Sequence, residues 1–340
     1  MTSRELVVKT LNHQPVARTP RDVWLTPPLE AQRPDDVAEI AARFPGDVAW
    51  VEPKPAAPRR AAAKPAREGA IVDAWGCTWL PAKPGQMDEI VAPPLSEAAK
   101  LAAFEPPAEA VEASRFAKLG KAGEAASRFL LARSDVRPFE RLQGLRGTKA
   151  AVMDLARDTK EIRRLLAKVH ETNCRELELW GRSDVDGVAI RDIWGVDGAL
   201  HVAPAMWREI FKPLYRDYCR ILHEHDKFVF FLSGGNISDV LSDLVKIEVD
   251  AVHSQWSAMH LDRLAKRFRG RITFWGGLDR PEALGRGPDE IRQSVQRVRQ
   301  ALDFGAGGLI AQCRWDPETP IQAVVAFCEQ WLAPLPMHST

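Results

Sequence analysis

The sequence predicts an α/β chain closing as a (β/α)8 TIM barrel, a single domain over residues 1–340 with an N-terminal elaboration. Three observations lead there. From residue 150 onward, five short apolar runs follow one another, each preceded by a segment of helical period. Short apolar strands joined through helices mark a parallel sheet buried on both faces, because a parallel pair needs a crossover. Further apolar runs at 22–26, 47–52 and about 129–132 bring the strand count to eight. A doubly wound sheet is the competing fold. It expects Gly-x-Gly-x-x-Gly after an early strand, and the absence of that motif also argues against a nucleotide cofactor.

Residues 3–13 read as a short amphipathic helix, with Ser3 as N-cap and Leu6, Val7 and Leu11 on one face. A Pro-bearing turn at 15–20 leads into the first strand. Residues 54–94 form a loop and insertion region. Its Pro/Ala-rich, basic part at 54–68 is a surface loop, or a lid for a phosphate or carboxylate. Trp75-Gly76-Cys77-Thr78-Trp79 and the Pro-rich 81–94 are expected to be partly β. Helices at 150–182, 204–225, 237–246, 260–269 and 287–303 then precede strands at 185–190, 227–232, 249–253, 271–275 and 308–312. A last helix covers 320–332.

A formal net charge of +1 gives no basic footprint for nucleic acid. No apolar run approaches a membrane span. Five scattered cysteines without Cys-x-x-Cys, and no secretory signal in view, make a reducing cytoplasm the expected location. Eleven Trp against two Tyr is unusual, and several Trp fall just beyond expected strands, where indoles line pockets for flat ligands.

In such a barrel, chemistry sits at the carboxyl ends of the strands. The residues there are Trp24 after the first strand, Arg191, Asp192 and Trp194 after 185–190, and Asn236 behind Ser233-Gly234-Gly235. His253, Gln255 and Trp256 follow 249–252, Trp275 and Asp279 follow 271–274, and Gln312, Cys313 and Arg314 end the last strand. Asp192, His253 and Cys313 carry the acid–base or nucleophilic options; the others are substrate-binding candidates. Each also has a structural reading: Asp192 as a turn cap, His253 as a hydrogen-bonded core histidine, Cys313 as an inert buried thiol.

These residues resemble the uroporphyrinogen decarboxylase superfamily, which also contains zinc-dependent methyltransferases acting with corrinoid proteins. The resemblance rests on Thr2-Ser3-Arg4-Glu5 with Leu11-Asn12-His13-Gln14-Pro15, on Asp192-Ile193-Trp194-Gly195, and on Phe211-Lys212-Pro213-Leu214-Tyr215. Thr273-Phe274-Trp275-Gly276-Gly277-Leu278-Asp279 and Gly307-Gly308-Leu309-Ile310-Ala311-Gln312-Cys313 complete it, and Trp75-Gly76-Cys77-Thr78-Trp79 is similar to a segment of a bacterial branch. It implies the same barrel.

In the zinc methyltransferases a His-x-Cys pair and a further Cys hold the metal. Here Leu232-Ser233-Gly234 replaces the pair and Cys313 alone remains as a metal ligand. The decarboxylases grip their substrate with an arginine-rich loop and an aspartate. Here Trp24-Leu25-Thr26-Pro27-Pro28 replaces the loop, Glu52 stands at the acidic position, and few guanidinium partners are expected. The leading expectation is a methyltransferase-like enzyme that moves a one-carbon group from a small methoxylated aromatic to a corrinoid partner protein. The alternatives are a decarboxylase of a porphyrinogen-like or small carboxylated aromatic substrate, and a non-catalytic tetrapyrrole or corrinoid binder. The resemblance also admits a homodimer.

Overall fold

The computed structural model describes residues 1–55, 69–80, 89–117, 119, 127–196, 198–256, 259–278, 287–303 and 305–333. Most of the 54–68 loop lies outside the described residues, as do 81–88 and Asp279.

Eight parallel strands form the barrel. They are β1 (Arg21–Leu25), β2 (Val48–Val51), β6 (Phe129–Arg133), β7 (Gly187–Arg191), β10 (Phe228–Leu232), β11 (Ala251–His253), β12 (Thr273–Leu278) and β13 (Leu309–Trp315). Their hydrogen-bonded order is β1-β13-β12-β11-β10-β7-β6-β2, which leaves β1 and β2 at the two ends of the ladder. Asp47 stitches that seam at its lower end. Its N–H donates to the Arg21 carbonyl at 2.9 Å, and its carboxylate accepts the Arg21 N–H at 2.8 Å.

Alternation along each strand sorts side chains between two cores. Val48, Phe129, Leu131, Ala189, Phe230, Ala251, Trp275 and Ile310 fill the barrel. Helix α1 (Ser3–Leu11) closes the bottom by sending Val7 and Leu11 into that same interior cluster. The alternate residues, such as Val188, Ile190, Val229, Phe231 and Val252, pack outward with the residues of the helical layer.

Several boundaries differ from the sequence reading. The cap of α1 is Thr2, not Ser3: its hydroxyl accepts the Glu5 N–H at 3.2 Å, and the Glu5 carboxylate accepts the Thr2 N–H at 2.8 Å. The single helix expected at 150–182 is two, α5 (Thr148–Ala156) and α6 (Lys160–Gly181). Asp158 breaks it at φ 51°, and Thr159 caps the second piece. Helices α2 (Pro27–Gln32), α3 (Pro34–Arg43) and α4 (Pro138–Arg146) each open on a proline. Proline is tolerated there because the first-turn N–H has no partner to lose.

The 204–225 helix contains a wider turn at Trp207–Phe211 before α7 (Lys212–His223). Pro213 has no N–H to continue the ladder, so the turn ahead of it loosens. Within the insertion region, β3 (Ile71–Val72), β4 (Thr78–Leu80) and β5 (Glu89–Ala92) form a small antiparallel sheet, as expected from its partly β character, and β8 (Gly195–Val196) pairs with β9 (Ala199–Leu200) after β7.

Candidate active site at the barrel mouth

Strand alternation decides which residues reach the mouth. Trp24 is the last inward residue of β1, and continuing the alternation turns Glu52, Arg133, Arg191, Leu232, His253, Gln312 and Arg314 inward at the tops of the other strands. A cavity of about 290 Å³ opens there, lined on one side by Trp24, Trp50, Ala189 and Leu232. Arg115, Arg133, Arg137 and Arg191 line it together with Glu52 and Asp135. Sequence reading expected few guanidiniums; four surround this space, because they come from scattered strand ends and loops instead of one motif. Arg133 lies over the Trp50 ring at 4.8 Å and pairs with Glu52 at 3.0 Å. That cation resting on an indole face shows that the aromatic wall accepts a cation.

Beneath the cavity lies Asp22, which sequence reading passed over as strand interior. It is 2 % exposed. Three indoles donate to its carboxylate: Trp24 at 2.7 Å, Trp275 at 3.0 Å and Trp50 at 3.3 Å. Burial pushes its pKa up to about 6 even though the three indole bonds pull it down. The signal was present in the sequence. Asp22 and Trp24 share a strand face, as do Trp50 and Glu52 across the seam.

The folded pKa of Asp22 lies above its ordinary value of 3.8, so the folded chain holds this proton to higher pH than the unfolded chain. Stability from this group is therefore lost as pH rises from about 4 to about 6, by on the order of 3 kcal/mol. Asp192 and Glu176, whose pKa values burial also raises to about 7, lose stability over the same range in both proteins. Urea unfolding at both pH values should therefore show a loss about 3 kcal/mol larger in the wild type than in Asp22→Asn. Equal pH dependence in the two proteins would remove the assignment.

His253 packs against Trp24 at 4.8 Å between ring centroids, and its Nδ1 lies 2.9 Å from the Trp275 carbonyl. A carbonyl only accepts, so Nδ1 carries the proton and Nε2 is left as an acceptor. Burial drives the pKa down to about 4, so the ring is neutral at neutral pH.

Other expected site residues fall elsewhere. Asp192 points out of the barrel, accepting the Phe139 and Glu140 N–H groups at 2.9 Å and the Tyr215 hydroxyl at 2.5 Å. It caps α4 from the strand above, and its burial, with the Glu140 charge second, raises its pKa to about 7. Trp194 belongs to the same outer core, with its indole on the Tyr215 hydroxyl at 2.8 Å. Trp256 is buried with its indole on the Trp275 carbonyl. Asn236 holds the start of α8 (Ser238–Lys246) by accepting the Ser238 N–H at 3.0 Å. Gly235, at φ 66°, packs on the backbone of Gly195, an approach that a Cβ at either glycine would block.

Gln255 is half-buried and lines neither this cavity nor the one beside it. Gln312 stands opposite Asp22 in the β1–β13 register, with its Oε1 buried and without a partner. Arg314 is the next inward residue, beside Trp24, and pairs with Asp316 at 3.0 Å.

Cys313 is the clearest correction. The last strand runs on to Trp315, so residues read as a loop still alternate. Cys313 turns outward and is fully buried among the residues of the helical layer. Burial raises its thiol pKa well above the ordinary range. Among the described residues no group of three His, Cys, Asp or Glu is placed to hold a metal ion. A zinc site on Cys313 does not fit this arrangement, because the only retained ligand faces away from the mouth. Cys313→Ser should lower stability by about 2 kcal/mol, since a hydroxyl replaces an apolar contact. Metal content should not change; zinc bound by the wild type and lost from the variant would contradict the outward placement.

A parallel barrel whose inward strand tops build one mouth defines an enzyme-type (β/α)8 architecture. Residues 139–331 match the family model described as uroporphyrinogen decarboxylase (URO-D), and the chain belongs to that family. Among solved structures it is similar to a methyltransferase from Methanosarcina mazei, at 13% identity and a TM-score of 0.70, over 97% of this chain and 98% of that one. A D-psicose 3-epimerase structure matches at 10% identity and a TM-score of 0.38, over 69% of this chain and 83% of that one. Comparison with curated proteins gives no match. Among the described residues, no helix is long and apolar enough to cross a membrane.

Proposed function

We propose that the chain is a methyltransferase-like enzyme acting on a small methoxylated aromatic acid, with a corrinoid partner protein as methyl acceptor. The observation that carries this reading is the mouth cavity, where the indoles of Trp24 and Trp50 line one space together with Arg115, Arg133, Arg137 and Arg191. A planar ring fits against the indoles, and a carboxylate fits the guanidinium fork. The alternative, loss of that carboxylate as carbon dioxide, is less well served. A guanidinium stabilises the carboxylate of the bound substrate more than the neutral product, which raises the barrier to C–C cleavage. A methoxyl group elsewhere on the ring escapes that penalty. The full-length likeness in fold to a methyltransferase supports the same choice.

The acceptor supplies the nucleophile for the methyl group. The chain's own part is to hold the ring, exclude water from the ether, and let a proton reach the phenolate oxygen as its bond to the methyl carbon breaks. Glu52, paired with Arg133 at the open rim, is the acid–base group placed to pass that proton from solvent.

The test is to incubate the protein with methoxybenzoates and free cob(I)alamin, following the phenol by chromatography and the cobalamin by absorbance. Phenol and methylated cobalamin should rise together, and methoxyarenes lacking a carboxylate should react poorly. Carbon dioxide release without an acceptor would make the chain a decarboxylase instead. Tight binding with no turnover, even with the corrinoid protein supplied, would make it a binder.

A further inference from the structure

A second chamber of about 580 Å³ lies between helix α4 and the small antiparallel sheet. It shares Arg137 and Arg191 with the mouth cavity, so the two spaces meet at the same pair of guanidiniums. Its acidic groups are not equivalent. The Asp73 carboxylate is fully engaged, accepting from the Trp75 and Cys77 N–H groups, the Trp79 indole and Arg141 at 2.7 to 3.0 Å. Glu140 is different. It is 8 % exposed, its Oε1 stands 3.6 Å from Arg191, and its Oε2 is buried without a hydrogen-bond partner.

A buried carboxylate oxygen left unpaired is costly, and a ligand that donates to it recovers that cost on binding. The Arg137 Nε is likewise buried and unpartnered, so an unpaired donor and an unpaired acceptor both belong to side chains that line this chamber. Trp79 supplies a ring wall beside them.

We propose that this chamber is a second subsite of the same ligand, and that Glu140 accepts a hydrogen bond from a ring hydroxyl of the bound aromatic acid. The inference rests on the reading of the mouth as an aromatic-acid site, and it narrows the substrate class to hydroxylated methoxybenzoates. The carboxylate lies on the shared arginines and the hydroxyl turns into the chamber toward Oε2. The Glu140 side chain is a specificity determinant; its backbone N–H, bound to Asp192, is untouched by side-chain substitution.

The experiment is calorimetric titration of wild type, Glu140→Leu and Glu140→Gln with 4-methoxybenzoate, 3-hydroxy-4-methoxybenzoate, 4-hydroxy-3-methoxybenzoate and 2-methoxyphenol. The better hydroxylated acid should bind wild type about tenfold tighter than 4-methoxybenzoate, the size expected of a hydrogen bond to a charged group. Glu140→Leu should erase that preference and Glu140→Gln should reduce it about threefold, because a neutral acceptor is weaker. Because removing the Glu140 charge also frees Arg191 for the carboxylate, the readout is the ratio of the two acids' affinities within each protein, and 4-methoxybenzoate itself should bind no more weakly in either variant. If Glu140→Leu does not fold, the Glu140→Gln result decides alone.

No hydroxyl preference in wild type, or a preference that survives in the variants, overturns the subsite while leaving the aromatic-acid reading intact. If 2-methoxyphenol binds as tightly as the acids and loses affinity in the Glu140 variants, the subsite stands and the carboxylate reading falls. Binding of none of the four compounds overturns both.

Discussion

Asp22→Ala is expected to cost about 4 kcal/mol of stability and to abolish ligand binding at the mouth. The carboxylate accepts from Trp24, Trp50 and Trp275, and an alanine leaves all three indole N–H groups without their acceptor. Each buried orphan costs about 1–3 kcal/mol, partly offset because the variant no longer buries a charge. The functional loss follows from geometry. Trp24 and Trp50 line the cavity, and the Asp22 carboxylate is the hydrogen-bond acceptor that both rings share with the Trp275 ring. Asp22→Asn retains one acceptor oxygen but brings an amide N–H₂ toward indole donors, so it should fall between wild type and alanine. Denaturant unfolding with calorimetry reads both effects. A loss below about 1 kcal/mol with unchanged binding would show that ring packing alone holds the indoles.

Asp192→Ala is expected to be as damaging to the fold, by about 4 kcal/mol, for a reason unrelated to chemistry at the mouth. It removes the acceptor of two N–H groups at the start of α4 and of the Tyr215 hydroxyl. Loss of a buried helix cap and of a charge-assisted bond to a phenol are both among the larger single-residue effects. Tyr215→Phe should reproduce part of the loss, about 2 kcal/mol, by also stranding the Trp194 indole. Thermal unfolding of the three proteins separates this from catalysis: a stable Asp192→Ala protein that binds ligand and fails only in turnover would restore the catalytic reading.

These two aspartates show what the sequence could and could not disclose. The strand rhythm was legible because every barrel strand is a short apolar run between helices, and it placed Trp24, Arg191 and His253 at the tops where they are found, while Glu52 entered through the family resemblance. Inside a strand, the side a residue faces depends on its register. One extra pleat at the end of β13 turned Cys313 away from the mouth, and one step past β7 turned Asp192 outward. Arg115 and Arg137 come from connecting segments with no period to read, so their convergence is a product of tertiary structure alone. Asp22 was readable in principle. A carboxylate two residues before an inward tryptophan must share its face, and a buried charge needs donors.

The seam between β1 and β2 has an evolutionary consequence. Elsewhere around the barrel, widening the mouth means shifting strands joined by a continuous backbone ladder, which disturbs every side chain along them. Between β1 and β2 the lower end is tied by Asp47, and the upper end is spanned by side chains, with Trp24 and Trp50 meeting edge to face at 6.0 Å. Exchanging one ring there for a smaller residue enlarges the pocket without moving a strand. A lineage built on this barrel can therefore change the girth of the molecule it accepts by single substitutions at one wall, while the ladder that carries its foldability is inherited unchanged.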